Sequence, residues 1–288
     1  GEVVIYRARG AKAAEALGAV AALVRSAGSA DFRLPHTGAM QTAGIPGAAV
    51  TAEDAELMAD LASQGRVRMH LVLTCQTLPD VVSANMIADL KGREHPEQVV
   101  VVSGHLDSWD LGTGAIDDGA GVAIAMATAA VFKQLGIQPR RTLRVIAWMD
   151  EEHFQSGSGA YGREHAAEFA NHMGAIESDF GAGHPLGFDV RANAKALAML
   201  EAVQDVLRAT GAPLLRSVEF SPGADIAPLA IAGVPSFGPI QDGRTYFDYH
   251  HTAADTFDKI DPRNLAENVA AISVLALALT EMEEPLPR

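Results

Sequence analysis

A single cysteine, Cys75, stands in the whole chain of 288 residues, so no disulfide can close within it and no thiolate cluster can hold a structural metal. Any metal must be held by histidine and carboxylate. Basic residues are also scarce: 22 Lys and Arg stand against 36 Asp and Glu, a formal charge of -14 at pH 7. Such a field repels phosphate backbones and offers no basic stripe, so nucleic acid is not an expected partner. Long apolar runs are missing too. Stretches such as Val99–Val102 and the Ala-rich Val269–Leu279 read as too short or too interrupted to cross a bilayer, and no membrane partner is expected. Gly1-Glu2-Val3-Val4 shows no charged leader with an apolar run and a cleavage site, which leaves a signal peptide either absent or already removed. What is present, 48% hydrophobic and 20% charged residues, is the composition of a folded chain with a sizeable core, long enough for one large domain and a smaller one.

The first eighty residues read as short elements. They are a strand at Val3–Tyr6, an Ala-rich helix over Ala11–Ala27, a Pro/Gly-rich connection through Pro35, His36 and Pro46, and a helix over Ala52–Gln64. Thr51 is placed to cap that last helix and Gly65 to end it, after which alternation in Val67–Leu73 predicts a strand. A change of pattern puts a domain boundary near Pro79, with residues 1–80 as a small N-terminal domain and 81–288 as the large one. Strands Met86–Leu90 and Gln98–Gly104, joined by the polar turn Lys91–Glu97, open the large domain. Then follow helix Gly119–Leu135, strand Thr142–Met149, helix Ala160–Ala170, strand Gly174–Ser178, helix Asn193–Thr210, a helix near Ile226–Ile231, strand Val234–Phe237 and a closing helix Asn264–Met282. Alternating strand and helix predicts an α/β fold, its sheet covered on both faces.

In such sheets ligands bind beyond the carboxyl ends of the strands. Strand Gln98–Gly104 ends in His105-Leu106-Asp107, strand Thr142–Met149 in Asp150-Glu151-Glu152, and strand Gly174–Ser178 in Asp179. The loop after the first adds Asp117-Asp118 before Gly119-Ala120-Gly121, and Tyr249-His250-His251-Thr252 follows near the end. Each fragment alone has an ordinary reading. His105 could be a hydrogen-bonded histidine, Asp118 a helix cap, Glu151-Glu152 a solvated turn, and His250-His251 a surface pair. Their joint delivery to one sheet edge is what favours a site. Two imidazoles and three carboxylates form a nitrogen and oxygen shell suited to zinc, and five ligands exceed the usual three of a mononuclear catalytic zinc, so two metals fit better than one. Asp107, two residues past His105, is within reach of that imidazole's other nitrogen. Asp225 is a candidate to recognise a substrate's terminal amine or to cap the next helix, and Trp109 reads as a core residue.

Taken together, Gly104-His105-Leu106-Asp107-Ser108-Trp109-Asp110, Asp117-Asp118-Gly119, Glu151-Glu152, Glu177-Ser178-Asp179 and His250-His251-Thr252 with Asp255-Thr256 resemble the zinc-dependent exopeptidase family of bacterial leucyl aminopeptidase and carboxypeptidase Q. The resemblance extends over nearly the whole chain. It implies a three-layer α/β/α catalytic domain with a mixed sheet, preceded by a protease-associated-like α+β insert domain. It also implies two zinc ions, with His105 and Asp179 on one, Glu152 and His251 on the other, and Asp117 bridging. Glu151 would then be the general base and Asp107 the partner of His105.

Relatives of this kind carry additional chain before the insert domain, so a truncation or a missing loop is expected here. Where several relatives place a tyrosine just before the last metal histidine, this chain has His250, leaving His250 and Tyr246 as candidate substrate-binding groups. The resemblance further implies hydrolysis of terminal peptide bonds of dipeptides or short peptides, a homodimer, and a secreted or periplasmic location. Two alternatives share the fold: a receptor-like binding module without catalysis, and a glutaminyl-cyclase-like acyltransferase with one zinc.

Overall fold

The computed structural model describes residues 7–28 and 32–288. The strand expected at Val3–Tyr6 lies outside them. Hydrophobic and β-branched residues in short runs build a seven-stranded mixed sheet from β3 (Met86–Leu90), β4 (His95–His105), β5 (Arg141–Trp148), β6 (His172–Glu177), β7 (Pro185–Arg191), β8 (Leu214–Ser217) and β9 (Ser236–Gln241). Their spatial order is β3-β5-β4-β6-β9-β7-β8. Strands β5, β4, β6 and β9 run parallel, β3 runs antiparallel to β5, and β7 runs antiparallel to β9. The polar turn after β3 therefore does not close a hairpin. β5 inserts between β3 and β4, because the parallel pairing of β4 with both β5 and β6 leaves no edge of β4 for β3.

The period-two alternation of a strand splits the core into two layers. Val100 and Val102 pack with Ile124, Phe132, Leu200 and Leu275, whereas Val99 and Val101 face Trp148, Tyr161, Ile226 and Leu229. Helices α3 (Ala120–Gln134), α5 (Ala194–Ala209) and α8 (Pro262–Glu281) supply the first layer, and α4 (Ser156–Glu164) and α6 (Ala227–Ile231) the second. Helix α8 starts where Asp261 accepts the main-chain N–H groups of Arg263 and Asn264, with Pro262 in the first turn, where its missing N–H costs nothing.

Two stretches, Ala115–Gln134 and Pro262–Glu281, are each 20 residues long and apolar enough to cross a membrane by length and composition. The sequence reading expected none, because it weighed the apolar runs within each helix and not the whole helix. Here both pack against the sheet as core helices, with Ile124, Phe132, Leu275 and Leu279 buried.

The N-terminal part holds α1 (Gly10–Ala16), β1 (Ala22–Arg25), β2 (Gly47–Val50) and α2 (Ala52–Gln64), with β1 and β2 paired in parallel. The helix expected over Ala11–Ala27 is thus cut short. Gly18, at φ 84, leaves helical space, and Leu23-Val24 enter a strand. Thr51 caps α2 as expected, accepting the Asp54 N–H at 3.0 Å. No strand forms at Val67–Leu73. The segment lies exposed, with no ladder partner to hold it. Strands β2, β7 and β8 were not anticipated. Gly47-Ala48-Ala49, Pro185 and Gly187 are poor strand formers, and β8 is four residues long.

Leu275 is fully buried where α8 meets the sheet. Leu275→Ala is expected to destabilise the chain by about 2–5 kcal/mol, read from urea unfolding; a loss well under 1 kcal/mol would mean that α8 is not a core helix.

Candidate metal centre

Because β4, β5, β6 and β9 are parallel, their carboxyl ends share one edge of the sheet. His105 is the last residue of β4 and pairs with Trp148 at the end of β5, three residues before Glu151, while Asp179 lies two residues past β6. The loop into α3 is nailed down by carboxylates. Asp118 accepts the Gly121 N–H at 2.9 Å and the His105 N–H at 3.0 Å, joining the start of α3 to the end of β4. Asp255 accepts the N–H groups of Ile116 at 2.6 Å and Asp117 at 3.1 Å. The approach of α3 to the strand ends requires glycine: a side chain on Gly121 would collide with the Ser178 carbonyl, and one on Gly104 would come within 2.7 Å of the Gly121 backbone.

All five residues expected to share a site are brought together. The Asp117 carboxylate faces three imidazoles, those of His105, His251 and His250. Its Oδ1 lies 3.0 Å from His105 Nε2, which is also 3.2 Å from Asp179 Oδ1. Its Oδ2 lies 3.1 Å from His251 Nε2, which is also 2.9 Å from Glu152 Oε2. The far ring nitrogens settle what these contacts can be. His105 Nδ1 donates to the Asp107 carbonyl at 2.9 Å and His251 Nδ1 donates to the Thr37 carbonyl at 3.1 Å, since a carbonyl can only accept. In a neutral ring each Nε2 then presents a lone pair to two carboxylates. Lone pairs facing carboxylate oxygens repel unless a proton or a cation lies between them. Glu152 adds a buried Oε1 with no hydrogen-bond partner among the described residues. Three carboxylates and two imidazole lone pairs, preset by carbonyls, fit a pair of divalent cations.

The protein groups alone show the same strain. Burial opposes charge on His105 and His251, but hydrogen bonds to Asp117 and to Asp179 or Glu152 outweigh it, raising both, His251 to about 9. Asp117, despite its burial, is held below the ordinary range by those imidazoles. Burial, reinforced by neighbouring negative charge, pushes Asp118 well up and Glu151 to about 8. Burial also raises Asp179 against the pull of its hydrogen bond to His105.

Several expectations need correction. Asp107 meets His105 through its main-chain carbonyl; its carboxylate stands 3.8 Å from Nδ1 and instead accepts the Glu151 and Glu152 N–H groups at 3.1 and 3.3 Å. A carboxylate two residues downstream of His105 is better placed to cap the neighbouring loop than to turn back. Trp109 is not core: its indole N–H donates to Glu152 Oε2 at 2.7 Å. His250 lies 3.3 Å from Asp117 Oδ2 and stacks on His251, ring centroids 3.6 Å apart. Tyr246 is buried with its ring 4.9 Å from that of His250, its hydroxyl pushed well up by burial and by the Asp117 and Asp179 charges. Asp225 does not cap α6. Its N–H donates to Glu177, and its own carboxyl, buried with neither oxygen hydrogen-bonded among the described residues, is raised by burial to about 7. Asp255, quoted only as part of a motif, and Thr37 had no assigned role; the Asp255 carboxylate grips distant main-chain N–H groups and Thr37 meets His251 from a distant segment, contacts that local pattern does not signal.

Clefts flank the centre. One of about 740 Å³ is lined by Asp107, Ser108, His153 and Phe154, and one of about 330 Å³ by Glu177, Asp179, Phe180 and Gln241.

The sequence profile of Peptidase family M28 matches residues 85–276. Carboxypeptidase Q of Pongo abelii is 39% identical and that of Homo sapiens 38%, each over 98% of this chain and 61% of the relative. The chain thus spans less than two thirds of these relatives. The Peptidase M28 precursor of Shewanella amazonensis superposes with a TM-score of 0.88 at 38% identity, over 98% of this chain and 65% of that one. The zinc aminopeptidase BSAP of Bacillus subtilis superposes at 0.69 with 21% identity over 98% of this chain and 69% of that one, a likeness of fold alone.

Glu151, Asp225 and His251 keep protons in the folded chain up to about 8, about 7 and about 9, above their unfolded values. The folded state therefore binds more protons than the unfolded one between about pH 4 and about pH 9, Asp225 and Glu151 contributing below about 8 and His251 last, and stability falls as pH rises there. The melting temperature of chelator-treated protein is expected to drop across this window in calorimetry and to recover with added zinc. A flat profile under chelation would mean that these groups are not packed together.

Proposed function

Because the chain belongs to Peptidase family M28, we propose that it is a zinc-dependent metallo-exopeptidase that holds two zinc ions and hydrolyses terminal peptide bonds of dipeptides or short peptides. The observation that carries this reading is the Asp117 carboxylate, one oxygen turned to His105 and Asp179 and the other to His251 and Glu152. In this reading His105 and Asp179 hold one ion, Glu152 and His251 the other, and Asp117 bridges. Zinc bound there would polarise a scissile carbonyl and lower the pKa of a water towards neutrality.

Glu151 stands beside these groups with its carboxyl raised to about 8 by burial; cations held next to it would lower that value and leave a carboxylate able to take a proton from the attacking water and return it to the leaving amine. Its main chain is pinned to Asp107, which keeps the side chain at the edge of the site. Tyr246 and His250 are the groups next to the centre suited to contact the substrate, and Asp225, whose carboxyl ionises at about 7, would favour a terminal ammonium once charged. The relatives described as carboxypeptidase Q and as zinc aminopeptidases support an exopeptidase reading. We extend the proposal to a protease-associated-like role for the N-terminal unit and to a secreted or periplasmic location, the latter supported by the relative described as a precursor.

The test is a zinc count per chain together with a panel of blocked and unblocked dipeptides, with an N-terminal glutamine peptide included. Two zinc ions and dipeptide hydrolysis are expected. Glu151→Gln is expected to keep both ions and to lower kcat by about 10²–10⁴-fold. Cyclisation of the glutamine peptide with one zinc bound, or undiminished turnover in Glu151→Gln, would overturn the reading.

A further inference from the structure

The loop that carries His250 and His251 is not held by the sheet alone. A segment of the N-terminal unit runs beside it and meets it at three successive points. The Phe32 ring stacks on Tyr249 with centroids 6.1 Å apart, the His36 ring lies 6.1 Å from that of His250, and Thr37 binds His251. The last contact is reciprocal. The Thr37 N–H donates to the His251 carbonyl at 2.8 Å, the Thr37 hydroxyl donates to the same carbonyl at 3.2 Å, and His251 Nδ1 donates back to the Thr37 carbonyl at 3.1 Å.

His251 has φ 58, a left-handed conformation that a residue with a bulky side chain adopts only when its surroundings hold it there. The main-chain bonds from Thr37 supply that hold. The segment is itself fastened at its other end: Ser26, directly after β1, accepts the His36 N–H at 2.9 Å and donates to the Val50 carbonyl of β2 at 2.7 Å. Ser26 and His36 are both buried, so this latch is shielded from competing water.

We propose that the His36-Thr37 segment is a positioning strap through which the small N-terminal unit sets the tautomer and aim of the His251 imidazole towards Asp117 and Glu152. The strap fixes Nδ1 as the protonated nitrogen and leaves Nε2 as the electron-pair donor, the arrangement that a ring offered to a cation needs. This rests on the two-zinc reading for its consequence, though the contact between Thr37 and His251 does not.

Thr37→Pro removes both the N–H and the hydroxyl that grip the His251 carbonyl. Ser26→Ala releases the latch without touching the centre, and serves if the proline variant does not fold. In folded variants, competition with a chromophoric chelator is expected to show one of the two zinc ions bound about 10–100-fold more weakly. The visible spectrum of the cobalt-substituted protein should change in the same variants. Wild-type affinity for both ions with an unchanged cobalt spectrum, in either folded variant, would overturn the strap.

Long-range proton–nitrogen spectra of the zinc-free wild type separate this proposal from the two-zinc reading. A solvent-protected His251 Nδ1 proton in a chain that binds no zinc would keep the strap and remove the metals; its absence in a chain that binds two zinc ions would do the reverse.

Discussion

Repulsion among carboxylates gathered at one sheet edge is the constraint around which this molecule is arranged. Asp117, Glu152 and Asp179 converge with two imidazoles whose outer nitrogens are already committed to main-chain carbonyls. Burial makes such an assembly expensive, because charges far from water cannot be screened and must be neutralised within contact distance. For the protein groups alone the conflict appears as displaced protons: imidazoles that hold theirs too long, and carboxylates driven up beside one driven down. Cations at this edge would offset the carboxylate repulsion and stand where the imidazole protons now do.

A second set of acidic residues keeps that assembly from relaxing. Asp118, Asp255, Asp107 and Glu177 spend their oxygens on main-chain N–H groups of the loops that bear the centre. Each of these bonds fixes backbone rather than side chain. The result divides the acids at this edge into those that face the imidazoles and those that hold the loops still. Two glycines, Gly104 and Gly121, allow α3 to approach closely enough for one carboxylate, that of Asp118, to bind both a strand end and a helix start.

The N-terminal unit enters the same logic from outside the sheet. Its small parallel pair β1 and β2 fastens a segment whose backbone meets the loop of His250 and His251, so the orientation of one imidazole depends on residues more than two hundred positions away. Trp109 closes the same side by donating to Glu152. The site is therefore assembled from the ends of several strands and from one neighbour that is not part of the sheet.

What the chain's order of residues determined by itself was the alternation of strand and helix, the delivery of His105, Glu151-Glu152 and Asp179 to one edge, and a metal set without a thiolate cluster. Periodicity and side-chain type carry that information locally. The tertiary structure decided the rest. It placed β5 between β3 and β4, left Val67–Leu73 without a ladder, moved the Asp107 carboxylate from an imidazole to two main-chain N–H groups, and drew Trp109 and Thr37 to the centre. Apart from the Trp109 indole, which meets a carboxylate, those outcomes rest on main-chain donors or acceptors, which all residues but proline carry alike. Only the packing of distant segments chooses among them.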